Sequence, residues 1–134
     1  MEAIHTDRAF TSSNPNSQAV VVGDLVYLSG QTPLDAELSG TVVGEGSTYG
    51  VGDLSIEEQT EKTFENIKAI LEEAGTSLDN LVKTTVYFTD PDHYGPINEV
   101  YAEYVSEPYP ARSALIIADI AVDVDIEIEA IAEL

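Results

Sequence analysis

SIEEQTEKTFENIKAILEEAG (residues 55–75), followed six residues later by VKTTVYFT (82–89), decides the fold. In the first stretch Ile56, Thr60, Thr63, Phe64, Ile67, Ile70, Leu71 and Ala74 recur at three- and four-residue intervals, one apolar stripe of an amphipathic helix. Ser55 followed three residues on by Glu58 is the pattern of a capping box at its start. Gly75 is the left-handed stop at its end. The second stretch alternates: Val82, Thr84, Val86 and Phe88 against Lys83, Thr85 and Tyr87, a strand with one buried face. A helix feeding a strand needs other strands beside it, so the rest of the chain is read for them.

Upstream, Ala19–Val22 and Leu25–Leu28 flank Gly23-Asp24, a hairpin whose two-residue turn begins with glycine. Residues 35–54 carry five glycines and little periodicity, a long loop with a short hairpin expected near 41–44. Downstream, Asp90-Pro91-Asp92 turns the chain into a second helix from about Pro96 to Val105. Its inward residues are Ile97, Val100, Tyr101 and Tyr104, and Pro108 and Pro110 lie beyond its end. Residues 113–118 and 124–132 are further strands. The order β-β-α-β-α-β-β predicts an α+β two-layer domain with a mixed sheet and both helices on one face. The 134 residues, 43% of them hydrophobic, fit one domain over 1–134.

Charge narrows the function. There are 25 acidic residues against five basic ones, a net −20. Arg8, Lys62, Lys68, Lys83 and Arg112 are scattered and cannot form the basic stripe that nucleic acid requires. Anionic lipid is disfavoured for the same reason. The acids are spread along the whole chain. Glu57, Glu61 and Glu65 sit at i, i+4 spacing, which is repulsive at low salt. Glu72 and Glu73 oppose the helix dipole. This predicts an acidic surface suited to a molar-salt, halophilic cytosol, where the Debye length is about 3 Å. No apolar run approaches the length of a membrane span. The N-terminus lacks a basic start and apolar core, so a cytoplasmic location is expected. Without cysteine there is no disulfide, thiolate ligand or thiol nucleophile.

Few residues offer chemistry. No phosphate loop, dinucleotide fingerprint or His-x-x-x-His pair is present. His5 and His93 stand alone, and no metal site is expected. Asp123, Asp125, Glu127 and Glu129 alternate, which places four carboxylates on one strand face opposite Val122, Val124, Ile126 and Ile128. Such a row can raise one member's affinity for a proton and make a base, but spacing does not say which. Arg112 offers a planar fork for a carboxylate, or an ion pair with one of the many acids.

Several segments, in order along almost the whole chain, resemble one family. They are Ser17-Gln18-Ala19-Val20, Leu28-Ser29-Gly30-Gln31-Thr32-Pro33-Leu34-Asp35, Glu65-Asn66-Ile67-Lys68-Ala69-Ile70-Leu71, Val82-Lys83-Thr84-Thr85-Val86, Asn98-Glu99-Val100-Tyr101, Pro110-Ala111-Arg112-Ser113 and Ile126-Glu127-Ile128-Glu129-Ala130-Ile131-Ala132. Together they resemble the RidA (YjgF) family. The resemblance implies a chorismate-mutase-like fold and a homotrimer with clefts between subunits. It also implies hydrolysis of enamines and imines of the 2-aminoacrylate and 2-iminopropanoate class to 2-oxo acids and ammonia, with no cofactor. By position, Arg112 matches the arginine that holds the substrate carboxylate, and Glu127 the carboxylate that positions or activates water. Ser29, Gly30 and Asn98 match cleft residues.

Three positions depart from the pattern. Asn16 stands where many members carry a substrate-facing tyrosine. Residues 40–54 are longer than the usual link. Ala114 replaces a common cysteine. Asn16 keeps open a second reading, a catalytically weak trimer that binds or senses a small carboxylate.

Overall fold

The computed structural model describes residues 1–39 and 53–134. The hairpin expected near 41–44, and most of the 40–54 insertion, lie outside the described residues. Eight main elements follow the chain: β1 (Glu2–Ile4), β2 (Ala19–Val22), β3 (Leu25–Gln31), α1 (Ile56–Ala74), β4 (Leu81–Phe88), α2 (Tyr94–Tyr104), β5 (Ala111–Ile116) and β6 (Ile126–Glu133). The strands form one sheet in the order β1-β2-β3-β6-β4-β5. Only β4 and β5 pair in parallel; the other neighbours are antiparallel. β6 is therefore inserted between β3 and β4, which α1 connects as a crossover. This is the two-layer α+β architecture with a mixed sheet that the patterning predicts.

The α1 capping box is complete: Ser55 Oγ accepts from the Glu58 amide, and the Glu58 carboxylate accepts from the Ser55 amide. Gly75 adopts φ 91°, the left-handed conformation that ends the helix. The buried face of α1 packs on β3 and β6 and against α2. Phe64 at its centre stacks on Tyr104 and meets Tyr101 edge-on. Glu57, Glu61, Glu65, Glu72 and Glu73 are exposed on the outer side of α1.

The structure corrects three expectations. β1 is an additional strand that the sequence reading lacked; only Ile4 of its three residues is buried. In β4 the register to β6 shifts between Leu81 and Lys83, so Leu81 is buried and Val82 is exposed. A bulge of this kind breaks strict alternation. Asp125 does not join a row of four carboxylates. β6 begins at Ile126, and Asp125 is turned toward α1, where Gln59 and Thr89 donate to its two oxygens at 2.9 and 3.1 Å. Ile126, Ile128, Val86 and Phe88 are buried in the core that the sheet forms with the chain's own helices. The exposed apolar residues of the sheet are others: Val22, Tyr27, Val82, Leu115 and Ile116.

Candidate functional site

The N-terminal arm, residues 5–18, links β1 to β2 and passes beside the C-terminal end of β3, held by one buried side chain. The Gln18 carboxamide accepts from the Thr6 amide at 2.7 Å and donates to the carbonyls of Thr6 and Phe10 at 3.1 and 3.2 Å. Ser29 Oγ donates to the Ser17 carbonyl at 2.6 Å. Arm and strand enclose a cleft of about 360 Å³ lined by Asn16, Ser17, Ser29, Gly30, Gln31 and Glu127, with His5, Thr11 and Asn14 on its polar walls. Four residues singled out from the sequence thus meet here: Asn16, Ser29, Gly30 and Glu127. Ser29 helps build the wall, since its hydroxyl proton is committed to Ser17.

Gly30 has a physical reason to be glycine. The β3–β6 register slips between Leu28 and Gln31, leaving one extra residue on β3. A Cβ on Gly30 would lie 2.6 Å from Glu127 Oε2 and 2.7 Å from its Cδ. The bulge and the missing side chain let the carboxylate reach the cleft.

Glu127 is half-buried and its carboxylate has no hydrogen-bond donor among the described residues. Burial, and secondarily the negative charge of Glu129, push its pKa above the ordinary carboxylate range. Glu129 is held by Tyr87, whose hydroxyl donates to Oε1 at 3.0 Å. The Tyr87 pKa is raised in turn, first by that hydrogen bond and then by burial. A carboxylate with free lone pairs and raised proton affinity is suited to take a proton from water and return it.

Arg112 lies elsewhere. It sits on the edge strand β5, all of whose residues are exposed. Its neighbour across the ladder is Thr84, whose hydroxyl shares a 2.8 Å hydrogen bond with Tyr101 of α2. The guanidinium stands 4.8 Å from the Tyr101 ring centroid and 5.7 Å from that of Tyr94. Nη2 donates to the Tyr94 hydroxyl at 3.0 Å. No carboxylate pairs with it among the described residues. Arg8 and Lys62, by contrast, pair with Glu72 and Asp35. In a chain of net −20, an arginine without an acid keeps its donors for an external anion.

Asn98 follows Tyr94 by four residues and precedes Tyr101 by three, so all three lie on one stripe of α2. Its buried Oδ1 has no partner. The site residues therefore fall into two groups: Asn16, Ser29, Gly30 and Glu127 in the cleft, and Arg112 with Asn98 beside α2. Glu127 alternates with Ile126 and Ile128, which face the helices, so it projects from the open side of the sheet. Arg112 projects toward α2. Glu127 pairs with Tyr87, and Tyr87 with Leu115, three residues from Arg112. Strand spacing and rise put their backbones roughly 14 Å apart, on opposite faces. One copy of the chain cannot close both groups on one small molecule. The described residues contain no cluster of His, Asp or Glu placed to hold a metal ion. They also contain no helix long and apolar enough to cross a membrane.

A family model described as Endoribonuclease L-PSP matches residues 6–134. The chain belongs to that family, the RidA (YjgF) family. A RutC family protein of Pyrococcus abyssi is 45% identical over 131 residues, 98% of this chain and 95% of that protein. Reactive Intermediate Deaminase A, chloroplastic, of Arabidopsis thaliana is 37% identical over 133 residues, covering 99% of this chain and 66% of that protein. The crystal structure of RidA from an Antarctic Psychrobacter is 40% identical, covers 100% of both chains and superposes with a TM-score of 0.86. The chain thus has the RidA-family fold.

Sequence reasoning missed three parts of this candidate site. Tyr94 and Tyr101 frame Arg112, and the one available signal was their spacing around Asn98. Gln18 was quoted only within a motif. The Tyr87–Glu129 pair joins residues 42 apart, and nothing local links them.

Proposed function

We propose that the protein hydrolyses 2-imino acids and their enamine tautomers, of the 2-aminoacrylate and 2-iminopropanoate class, to 2-oxo acids and ammonia. The site is shared between subunits of a homotrimer, with Glu127 from one and Arg112 from the next. One observation carries the reading: an arginine without an acid partner and an unpaired carboxylate of raised pKa project from opposite faces of the same sheet. A second copy can bring them together; one copy cannot.

Arg112 holds the ligand carboxylate and so fixes the imine carbon, which is already electrophilic. Glu127 takes a proton from water as its oxygen attacks that carbon and passes it to nitrogen, forming a neutral carbinolamine. Glu127 then takes the carbinolamine hydroxyl proton and delivers it to nitrogen as the carbonyl forms and the C–N bond breaks; ammonia leaves and the 2-oxo acid remains. An enamine enters the same path after protonation at its terminal carbon. Every step is a proton transfer, an addition or an elimination with no change of oxidation state, so the chemistry calls for no cofactor. RNA as substrate is opposed by the net charge of −20. The acids spread over the outer surface suit a cytosol of high salt, so the assay belongs in molar KCl.

Asn16 favours a second reading, a carboxylate-binding trimer with weak turnover, because it lines the cleft where many relatives carry a tyrosine ring. One experiment separates the two. An amino-acid oxidase generates the imine in situ in molar KCl, and its decay is followed with and without the protein. Accelerated decay is expected. A folded trimer that binds a 2-oxo acid yet leaves the decay rate unchanged would replace the hydrolase with the binder.

A further inference from the structure

The aromatic frame around Arg112 is not symmetric. Tyr101 is fully engaged: its ring packs edge-on against Phe64 with centroids 5.5 Å apart, and its hydroxyl is bound to Thr84 Oγ1 at 2.8 Å. The Tyr94 ring is equally fixed, stacked on Phe88 at 5.6 Å and 9°. Its hydroxyl is not. The oxygen accepts from Arg112 Nη2 at 3.0 Å, and the phenolic proton has no acceptor among the described residues. A phenol in that state is a hydrogen-bond donor held beside a guanidinium. The chemical group that satisfies both is an anionic oxygen shared by the two.

We propose that Tyr94 determines carboxylate specificity: it aims the Arg112 fork and supplies a further donor, its own O–H, to the carboxylate that Arg112 holds. This deepens the clamp proposed for Arg112 and rests on it. One Nη2 hydrogen goes to Tyr94. The remaining N–H groups of the fork stay free for bidentate contact. The phenol then adds a contact that a second carboxylate oxygen can accept and that a carboxamide nitrogen, itself a donor, cannot. The site therefore discriminates an acid from its amide by more than charge.

The test uses the trimer in molar KCl, with 2-oxobutanoate and 2-oxobutanamide as calorimetric probes. Tyr94→Phe keeps the ring on Phe88 and beneath the guanidinium and removes only the hydroxyl. Losing one charge-assisted hydrogen bond should weaken 2-oxobutanoate about tenfold. The amide should change little, so acid-over-amide selectivity falls by about the same factor. In turnover, KM should rise with kcat nearly unchanged, the signature of lost uniform binding. Wild-type affinity for 2-oxobutanoate in Tyr94→Phe would overturn the proposal. So would an equal loss for acid and amide, which marks a packing role only. Arg112→Ala separates the two layers. If it binds 2-oxobutanoate as wild type does, the clamp itself fails and the role of Tyr94 falls with it. If it loses binding while Tyr94→Phe does not, the clamp stands and the Tyr94 proposal alone is wrong.

Discussion

The two halves of the site are built by different means. The Glu127 half is made of backbone: a bulge in β3, a glycine without a side chain, and an arm tied down by Gln18 and Ser29. The Arg112 half is made of rings: Phe88, Tyr94 and Tyr101 hold a guanidinium on an otherwise exposed edge strand. The first sets where a carboxylate can reach, and the second sets which way a cation points. A change in the first should therefore disturb the chemical step, and a change in the second should disturb binding. Because the halves lie on opposite faces, the proposed trimer would place each in a different cleft.

Mixing subunits puts the greatest strain on that comparison. Arg112→Ala and Glu127→Gln should each be nearly inactive: the first loses a charge contact to the ligand worth roughly 2–5 kcal/mol of binding, tens-fold or more, and the second loses the base of the chemical step, worth about a hundredfold or more in rate. Mixed and reassembled, the two variants should regain turnover, because some clefts then pair an intact Glu127 with an intact Arg112. For a random mix in a ring of identical interfaces, about a quarter of the clefts are restored. Recovered activity is read against each variant reassembled alone. No recovery from folded mixed trimers would mean that both residues serve one cleft from one chain, contrary to their placement on opposite faces.

Much of the scaffold behind this comparison is legible in the sequence, and the two halves differ in how far. The α1 stripe, its capping box and Gly75 depend on neighbours within a turn or two, so periodicity finds them. β4 and β6 are found as strands, but the bulge at Leu81–Lys83 and the displacement of Asp125 toward Gln59 depend on partners 48 to 66 residues away. No local pattern encodes them. Gly30 comes from resemblance alone, and resemblance is what chooses a ligand clamp over a surface ion pair for Arg112. Why Gly30 must be glycine needs the contact with Glu127, and that Arg112 meets Tyr94 and Tyr101 and pairs with no carboxylate among the described residues is visible only in the fold.

Gly30→Ala tests the backbone half without touching a charge. The new Cβ would sit 2.6 Å from Glu127 Oε2. That is too close, so the carboxylate must shift. A displacement near 1 Å can cost about a hundredfold in rate. Turnover should fall on that scale, while calorimetry with 2-oxobutanoate changes by much less because Arg112 is untouched. Equal loss in both readouts would show that the halves are coupled through the fold and are not separately built.

The smallest expected effect concerns pH. Glu127 is faced by Glu129 on its own strand, by Tyr87 of β4 acting through Glu129, and by Asp119 across the adjoining groove. Gly30 and Ser29 on the β3 side bring no charge. Burial raises its pKa most, and Glu129 adds to the rise. As a base, Glu127 must be ionised, so the acid limb of the turnover profile should lie above the ordinary carboxylate range. Glu129→Gln removes one of the two causes and leaves burial in place, so the limb should move to lower pH but stay above that range. Tyr87→Phe should move it in the same direction by less, because Glu129 keeps its charge and loses only its tether. The double variant should match Glu129→Gln alone, since Tyr87 acts through that carboxylate. Stability carries the same sign. A folded-state pKa above the unfolded one means the native protein holds a proton that the unfolded chain has lost, so stability declines as pH rises through that window. Glu127→Gln should flatten the decline in thermal unfolding. An acid limb that stays put in Glu129→Gln would leave burial as the sole cause. Turnover that instead falls as pH rises through that window, with the fall moving to lower pH in Glu129→Gln, would mean that Glu127 works in its protonated form.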